Sequence, residues 1–293
     1  MHLTAHQSNA QLATFLAQRV IPDFRRFTID SDKLAATCGN IIYYNVSPAF
    51  KTRGRTFEID DSILHLLAEL TKVPAAFKAW RSQVLEAFSD NRFFYGPPSN
   101  AGEWRPIVQA LVASDKERFP DLIAKISAAS SANIFVNREL ESLSKAISIR
   151  RLSYTIFCGE KNRYLVQLPA IQEKVVELLR AQVSDLVHSE VRQVCLSLSY
   201  YVPPADKHSQ LPLMHCACVV PVQVYLCLRV LLCRIGNQHL SSFWPIILTE
   251  LLRLYEQLMS EPSASSGEYL QLVLSACKFL DLLLVLQTEE FQM

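Results

Sequence analysis

The sequence predicts an all-α protein, an irregular α-solenoid-like array of helices with no sheet. Three observations carry this. Half of the 293 residues are apolar, enough for a large core. Leucine-rich runs of helical length recur along the chain, with apolar residues three and four positions apart. Only seven Gly, and no alternating pattern of useful length, argue against a loop-rich β protein. No strict repeat period accompanies the helix pairs, so the array is irregular.

In chain order, a first helix to about Arg19 would place Leu12, Phe15, Leu16 and Val20 on one side. Residues 21–56 are mixed, and "CGNIIYYNVSPAFKTRGR", with its Gly, Asn and Pro punctuation, reads as a connector. We therefore expect an N-terminal segment over 1–56 and a regular helical region over 57–293. Asp60 or Asp61 caps "DSILHLLAELTKV", whose buried side is Ile63, Leu66, Leu67 and Leu70. Pro74 opens the next helix, with Phe77, Trp80, Val84, Leu85 and Phe88 together. "YGPPSNAGE" is a turn. Helices follow near 103–113 and 115–130, the second interrupted by Pro120, and then over 137–157. Pro169 precedes a helix carrying Ile171, Val175, Leu178, Leu179, Val183 and Leu186 inward.

The last two helices span about 243–259 and 267–287, joined by "SEPSASSG". A Trp-Pro pair stands in the first of them. With Ser241 or Ser242 as N-cap, Pro245 falls in the first turn, where its missing N–H has no partner to lose. Phe243 and Trp244 anchor the entry. Ile247, Leu248, Leu251, Leu254, Tyr255 and Leu258 face inward, and Glu250, Arg253 and Gln257 face solvent. The final helix is apolar around most of its circumference, with Glu268, Gln271, Ser275, Lys278 and Asp281 as a narrow polar stripe. It should be covered on several sides.

The charge balance, 29 basic against 28 acidic residues, disfavours a nucleic-acid binder. Eight scattered cysteines do not form a compact disulfide framework, and Met1 to Gln11 lacks the apolar core of a signal peptide. Reduced thiols in the cytosol are expected. Leu270 to Leu286 and Leu211 to Leu228 are apolar enough to test as membrane spans. Lys278 and Asp281 in the first, and two prolines, a histidine and a glutamine in the second, argue against that role.

No catalytic, cofactor or metal set emerges. "HCAC" at 215–218 lacks the second pair of ligands a zinc site needs. "GEKNR" at 159–163 lacks the GK[ST] of a phosphate loop and reads as a solvated turn. Asp60-Asp61 reads as a helix cap. The basic clusters Arg25-Arg26, Lys51/Arg53/Arg55 and Arg150-Arg151 are candidate contacts for anionic lipid headgroups or plain solvated faces. Trp80, Trp104, Phe243, Trp244, Pro245, Leu270, Cys277, Phe279 and Leu280 are candidate structural or interaction anchors. Leu270, Val273, Cys277, Leu280 and Leu284 alternate at three and four, a row suited either to self-association or to packing on Tyr255 within the chain.

Several stretches resemble the C-terminal region of the Dopey family, closest to its fungal members. They are "AWRSQVLEAFSDNRFF" (79–94), "WRPIVQALVASDKERFPDLIAKIS" (104–127), "ANIFVNRE" (132–139), "RRLSYTIFCGEKN" (150–162), "LPAIQEKVVELLR" (168–180), "RVLLCRI" (229–235), "HLSSFWPIILTELLRLYE" (239–256) and "LQLVLSACKFLDLLLVLQTEEFQ" (270–292). The resemblance takes in only the family's C-terminal portion, without its N-terminal domain, and relatives are expected to continue beyond "EEFQM". Relatives also pass almost directly from "SEV" into "YLC". The segment from Val191 to Gln223 therefore reads as a retained intron translated in frame, bounded by a GT-compatible valine and a CAG-compatible glutamine. It is expected to form a loop. Exposed ends of a truncated array imply poor solubility in isolation.

The resemblance implies a non-enzymatic scaffold or adaptor of Golgi-to-endosome protein transport. It would sit peripherally on the cytoplasmic face of trans-Golgi and endosome membranes, in a family also tied to endoplasmic reticulum organisation and cell polarity. The partners it implies are a large Arf-exchange-factor-like solenoid scaffold and a P4-type lipid flippase.

Overall fold

A computed structural model of the chain describes residues 5–24, 31–51, 59–90, 92–95, 100–114, 118–127, 138–187, 219–260 and 267–286. Among these residues every regular element is helical. The chain divides into two compact units, Met1–Arg118 and Phe119–Met293, so the expected boundary at residue 56 falls inside the first.

The first unit opens with α1 (Ala5–Phe15), a π-helical turn (Leu16–Val20) and the short α2 (Ile21–Phe24). The small Ala13 and Ala17 turn inward with Leu16 and Ile21, while Leu12 and Phe15 are exposed. The expected apolar side is thus rotated, and the π turn displaces the register that follows it. The expected connector is a 21-residue helix, α3 (Ser31–Lys51). Ala35, Cys38, Ile42 and Val46 recur at helical spacing and are buried, which outweighs the local turn signals. Gly39 has a packing reason: a Cβ there would lie 3.0 Å from the Ala79 carbonyl oxygen.

The cap of α4 (Asp61–Leu70) is Asp60, whose Oδ1 accepts from the Ser62 N–H at 2.8 Å. Leu64 and Ala68 are buried as well as the expected face, so α4 is covered almost all round. It packs against α1, α3 and α6. A 3-10 turn from Pro74 leads into α5 (Phe77–Ser89), and α6 is Ala101–Ser114. Phe93 lies edge-on to Phe88 (centroids 5.2 Å) and to Trp104 (4.9 Å), joining the end of α5 to α6.

In the second unit, Pro120 does not interrupt a helix. It sits in the first turn of α7 (Arg118–Ser127), where a missing N–H is harmless. The helices α8 (Arg138–Cys158), α9 (Leu168–Val187), α10 (Val219–Arg234), α11 (Trp244–Ser260) and α12 (Gly267–Leu286) follow. The most extensive packing joins α8 to α10. Ser148, Ser153 and Thr155 of α8 are buried, and each hydroxyl donates to a carbonyl one turn back, at 2.8 Å. Buried hydroxyls satisfied within their own helix leave a small face for a neighbour. Helix α10 also packs on α9 and α12 and buries Val224, Tyr225, Cys227, Leu228, Leu231 and Leu232.

Two expectations are corrected here. The enclosed helix is α10; α12 leaves Leu270, Leu274, Leu284 and Val285 exposed while Ser275 of its supposed polar stripe is buried. The end of the supposed loop, Val219–Gln223, forms the start of α10, with Pro221 in its first turn. Residues 191–218, and with them "HCAC", lie outside the described residues.

Candidate interaction surfaces

The anchors sort into two groups. Trp80, Trp104, Phe243, Trp244 and Phe279 are buried. Trp80 lies edge-on to Phe77 (5.2 Å), and Phe279 meets Tyr225 at 6.0 Å. These rings hold the fold. Pro245 is exposed, as the second residue of α11. The entry to α11 is a 3-10 turn, Ser241–Phe243, in which the Phe243 N–H donates to the Leu240 carbonyl at 2.8 Å. Ser241 does not cap from its side chain; its hydroxyl points back to the Gln238 carbonyl at 3.5 Å.

The row on α12 is divided. Leu270 is 66% exposed and Leu284 76%, while Cys277 and Leu280 are half-buried. Cys277 Sγ lies 3.6 Å from the Tyr255 hydroxyl, so its middle packs within the chain. Burial, with Cys277 beside it, pushes the Tyr255 phenol up to about 12.

Of the basic clusters, Arg25, Arg26, Arg53 and Arg55 lie outside the described residues. Lys51 ends α3, and its side chain is likewise outside the described set. Arg150 and Arg151 are half-buried on α8, and both interact within the chain.

The "GEKNR" turn is more than a solvated loop. Asn162 adopts a left-handed backbone, φ 63°. Its N–H donates to the Arg234 carbonyl at 2.9 Å, and its Oδ1 accepts from the Gly236 N–H at 2.8 Å. The Arg234 guanidinium donates to the Gly159 carbonyl and stands 5.9 Å from the Phe157 ring centroid. The turn after α8 is thus fastened to the end of α10. Glu160, Lys161 and Arg163 remain exposed around it, as does Val166.

Glu250, expected in solvent, is only 4% exposed. Its Oε1 accepts from Arg253 at 2.9 Å and lies 3.7 Å from Arg180 Nε of α9. The α9–α11 contact turns Trp244, Ile247, Glu250, Leu251 and Leu254 inward, which shifts the buried face by part of a turn. Arg253, three residues on, is a counterion the sequence offers, but it remains exposed; the burial of Glu250 comes from the contact with α9, seventy positions earlier at Arg180.

None of the five described cysteines is in a disulfide. Burial pushes the Cys38 and Cys227 thiols up to about 11. Among the described residues no group of three His, Cys, Asp or Glu could hold a metal, and no helix is long and apolar enough to cross a membrane.

A family model described as DOP1 C-terminal matches residues 2–202 and 205–293. That match runs through most of 191–223, so it does not set this stretch apart. The chain is 30% identical over 230 residues to a protein DOP1 homolog of Drosophila melanogaster, covering 78% of this chain and 8% of the relative. It is 25% identical over 285 residues to protein dop1 of Emericella nidulans, covering 93% and 14%. Protein DOP1 of Saccharomyces cerevisiae is 23% identical over 278 residues, 90% and 14%. The chain therefore spans a small fraction of these relatives' length, and their names state no catalytic activity. No solved structure matches.

Proposed function

Because the chain belongs to the DOP1 (Dopey) C-terminal family, we propose that it is a non-enzymatic scaffold or adaptor in Golgi-to-endosome protein transport. In this reading it works through helix-to-helix protein contacts, peripherally on the cytoplasmic face of trans-Golgi and endosome membranes. Its partners are a large Arf-exchange-factor-like solenoid scaffold and a P4-type lipid flippase. The observation that carries the reading is apolar exposure on helices that are otherwise well packed. Leu252, Met259, Leu270, Leu284 and Val285 are each more than half exposed. Exposed apolar side chains of this kind suit helix-in-groove association.

The test is affinity purification of the chain from a fungal lysate, with mass spectrometry of what accompanies it. Enrichment of the Arf-exchange-factor-like scaffold is expected. Recovery of chaperones alone would count against a partner surface within these residues.

A second reading, direct attachment to anionic lipid headgroups, rests on Arg25, Arg26, Lys51, Arg53, Arg55, Arg150 and Arg151. The half-burial and internal contacts of Arg150 and Arg151 weaken it. Flotation with anionic liposomes at rising salt separates the two, because attachment through these charges fades as salt screens them.

A further inference from the structure

The second unit uses one pattern twice. Helix α8 ends at Cys158 and α10 at Arg234; the 3-10 turns that follow are Leu165–Gln167 and Ser241–Phe243; α9 and α11 begin at Leu168 and Trp244, each with proline next. Each of these pairs lies 76 positions apart. Burial keeps the same register. Ile149 and Tyr225, Leu152 and Leu228, Ile171 and Ile247, and Val175 and Leu251 match at that offset, and none is more than 4% exposed. Helix α10 packs on α8 and α11 on α9, as stacked repeats do. The helices α9 and α11 run in the same direction, since their first turns line one groove and Arg180 of α9 reaches Glu250 farther along α11.

The repeat shows which face of α11 is left uncovered. The α9 residues that line the groove against α11 are Pro169, Gln172, Glu173, Val176, Glu177 and Arg180. At the same offset stand Pro245, Leu248, Thr249, Leu252, Arg253 and Glu256, all exposed except the half-buried Leu248. Helix α11 therefore turns outward the face with which α9 receives α11. Helix α12 packs on α10 and touches Tyr255, yet Leu252 is 63% exposed and Met259, two turns farther, 86%. Leucines replace Gln172 and Val176, which makes this face more apolar than its counterpart, and Glu256 replaces Arg180, which reverses the charge at that position. Arg253 is engaged by Glu250 at 2.9 Å, whereas Glu256 has no ion pair among the described residues.

We propose that this face of α11 receives an amphipathic helix of a partner protein, laid alongside α11 in the same direction, as α11 lies on α9. The occupant sets apolar side chains at helical spacing on Leu248, Leu252 and Met259, and an arginine or lysine near Glu256. The register chooses among occupants. A second copy of α11 would bring Glu250 opposite Glu256, where the internal pair has Glu250 opposite Arg180. A second copy of α9 would offer Gln167, Ala170 and Lys174 where α11 offers Phe243, Ile246 and Glu250, and so lacks the apolar side chains. The inference rests on the adaptor reading and supplies it with a surface.

The probe is a displayed library of helical peptides of about five turns, with leucine fixed at alternating three and four and the other positions randomised, selected on the purified full chain. Enriched peptides should carry Arg or Lys toward the end that lies by Glu256. Their affinity should fall about tenfold or more on Leu252→Asp and on Met259→Asp. Glu256→Lys should turn the selection toward acidic peptides. These variants change only exposed side chains, so thermal melts should match the parent chain. Leu284→Asp on α12, at a residue equally open to solvent, should leave affinity unchanged; an equal loss there would reduce the effect to general stickiness and overturn the proposal. Failure to enrich any peptide, indifference to Leu252→Asp, or unchanged selection on Glu256→Lys would also overturn it. Self-association of the chain that Leu252→Asp abolishes would assign the face to a second copy instead. Co-purification of the solenoid scaffold that survives the Leu252→Asp/Met259→Asp pair would overturn this surface and leave the adaptor reading in place, whereas peptide binding without any such co-purification would count against the adaptor reading alone.

Discussion

Replacing Asn162 by alanine tests the fastening between the turn after α8 and the end of α10. Two contributions are lost. The Gly236 N–H loses its acceptor at 2.8 Å, worth about 1 kcal/mol net. Alanine must also hold φ 63°, where a Cβ without a compensating polar group costs roughly 1–2 kcal/mol. The sum is about 2–3 kcal/mol. Glycine at the same position loses the hydrogen bond but tolerates the backbone, and its greater unfolded-state freedom partly offsets that relief. Asn162→Gly should therefore cost only about 1 kcal/mol. Urea unfolding followed by far-ultraviolet circular dichroism measures both. At slopes of about 1–3 kcal/mol per molar urea, the alanine midpoint should drop by about 1 M and the glycine midpoint by clearly less. An alanine variant no worse than the glycine one would refute the strain argument; a loss in neither would refute the fastening itself.

Other outcomes follow from packing and burial. Gly39→Val should destabilise the first unit by about 1–3 kcal/mol through overpacking, since even a Cβ would meet the backbone oxygen of Ala79 at 3.0 Å; the same melts check this. Trp80→Ala should cost about 3–5 kcal/mol, and Trp80→Phe far less, because the phenyl ring keeps much of the packing and removes a buried indole N–H that has no acceptor. The Cys38 and Cys227 thiols have folded pKa values of about 11, above their unfolded ones, so the folded state keeps its protons longer. Their contribution should be intact at neutral pH and lost as pH rises from about 8.5 to about 11, and the double Cys38→Ala/Cys227→Ala variant should show a shallower decline in alkaline melts. Brief alkylation of the native chain with peptide mapping should label exposed Cys233 and spare buried Cys38 and Cys227.

Where burial was local and periodic, the sequence was legible. Asp60 before Ile63, Leu66, Leu67 and Leu70 declared both a cap and a core face, and Pro245 declared a first turn. Reading failed where a distant segment decided the outcome. Gly39, Asn40 and Asn45 signalled a connector, but Ala79 approaches Gly39 and Asn45 Nδ2 donates to the Ile41 carbonyl at 2.7 Å, so the segment stays helical. Glu250 was assigned to solvent by helical periodicity, because the α9 surface that covers it lies far away in sequence. Ser275 was assigned to a polar stripe, although a serine is small enough to enter an apolar contact at little cost. The final helix was expected to be covered because it is apolar nearly all round, and only the packing of α8, α9 and α12 on α10 shows that α10 is the more enclosed.

The fastening of Asn162 to Gly236 has a bearing on chain length. It brings together positions 74 apart, so α9 and everything up to α10 form one excursion with tethered ends. The entropy of closing such an excursion grows with the logarithm of its length, at about 0.6 kcal/mol per doubling. Excising Val191 to Gln223 would shorten it by less than half and change that term by less than one such step. Closure entropy alone therefore sets little limit on the length of the interval between the tethers; what resists a boundary at Gln223 is the first turn of α10, Val219–Gln223, which that excision would remove.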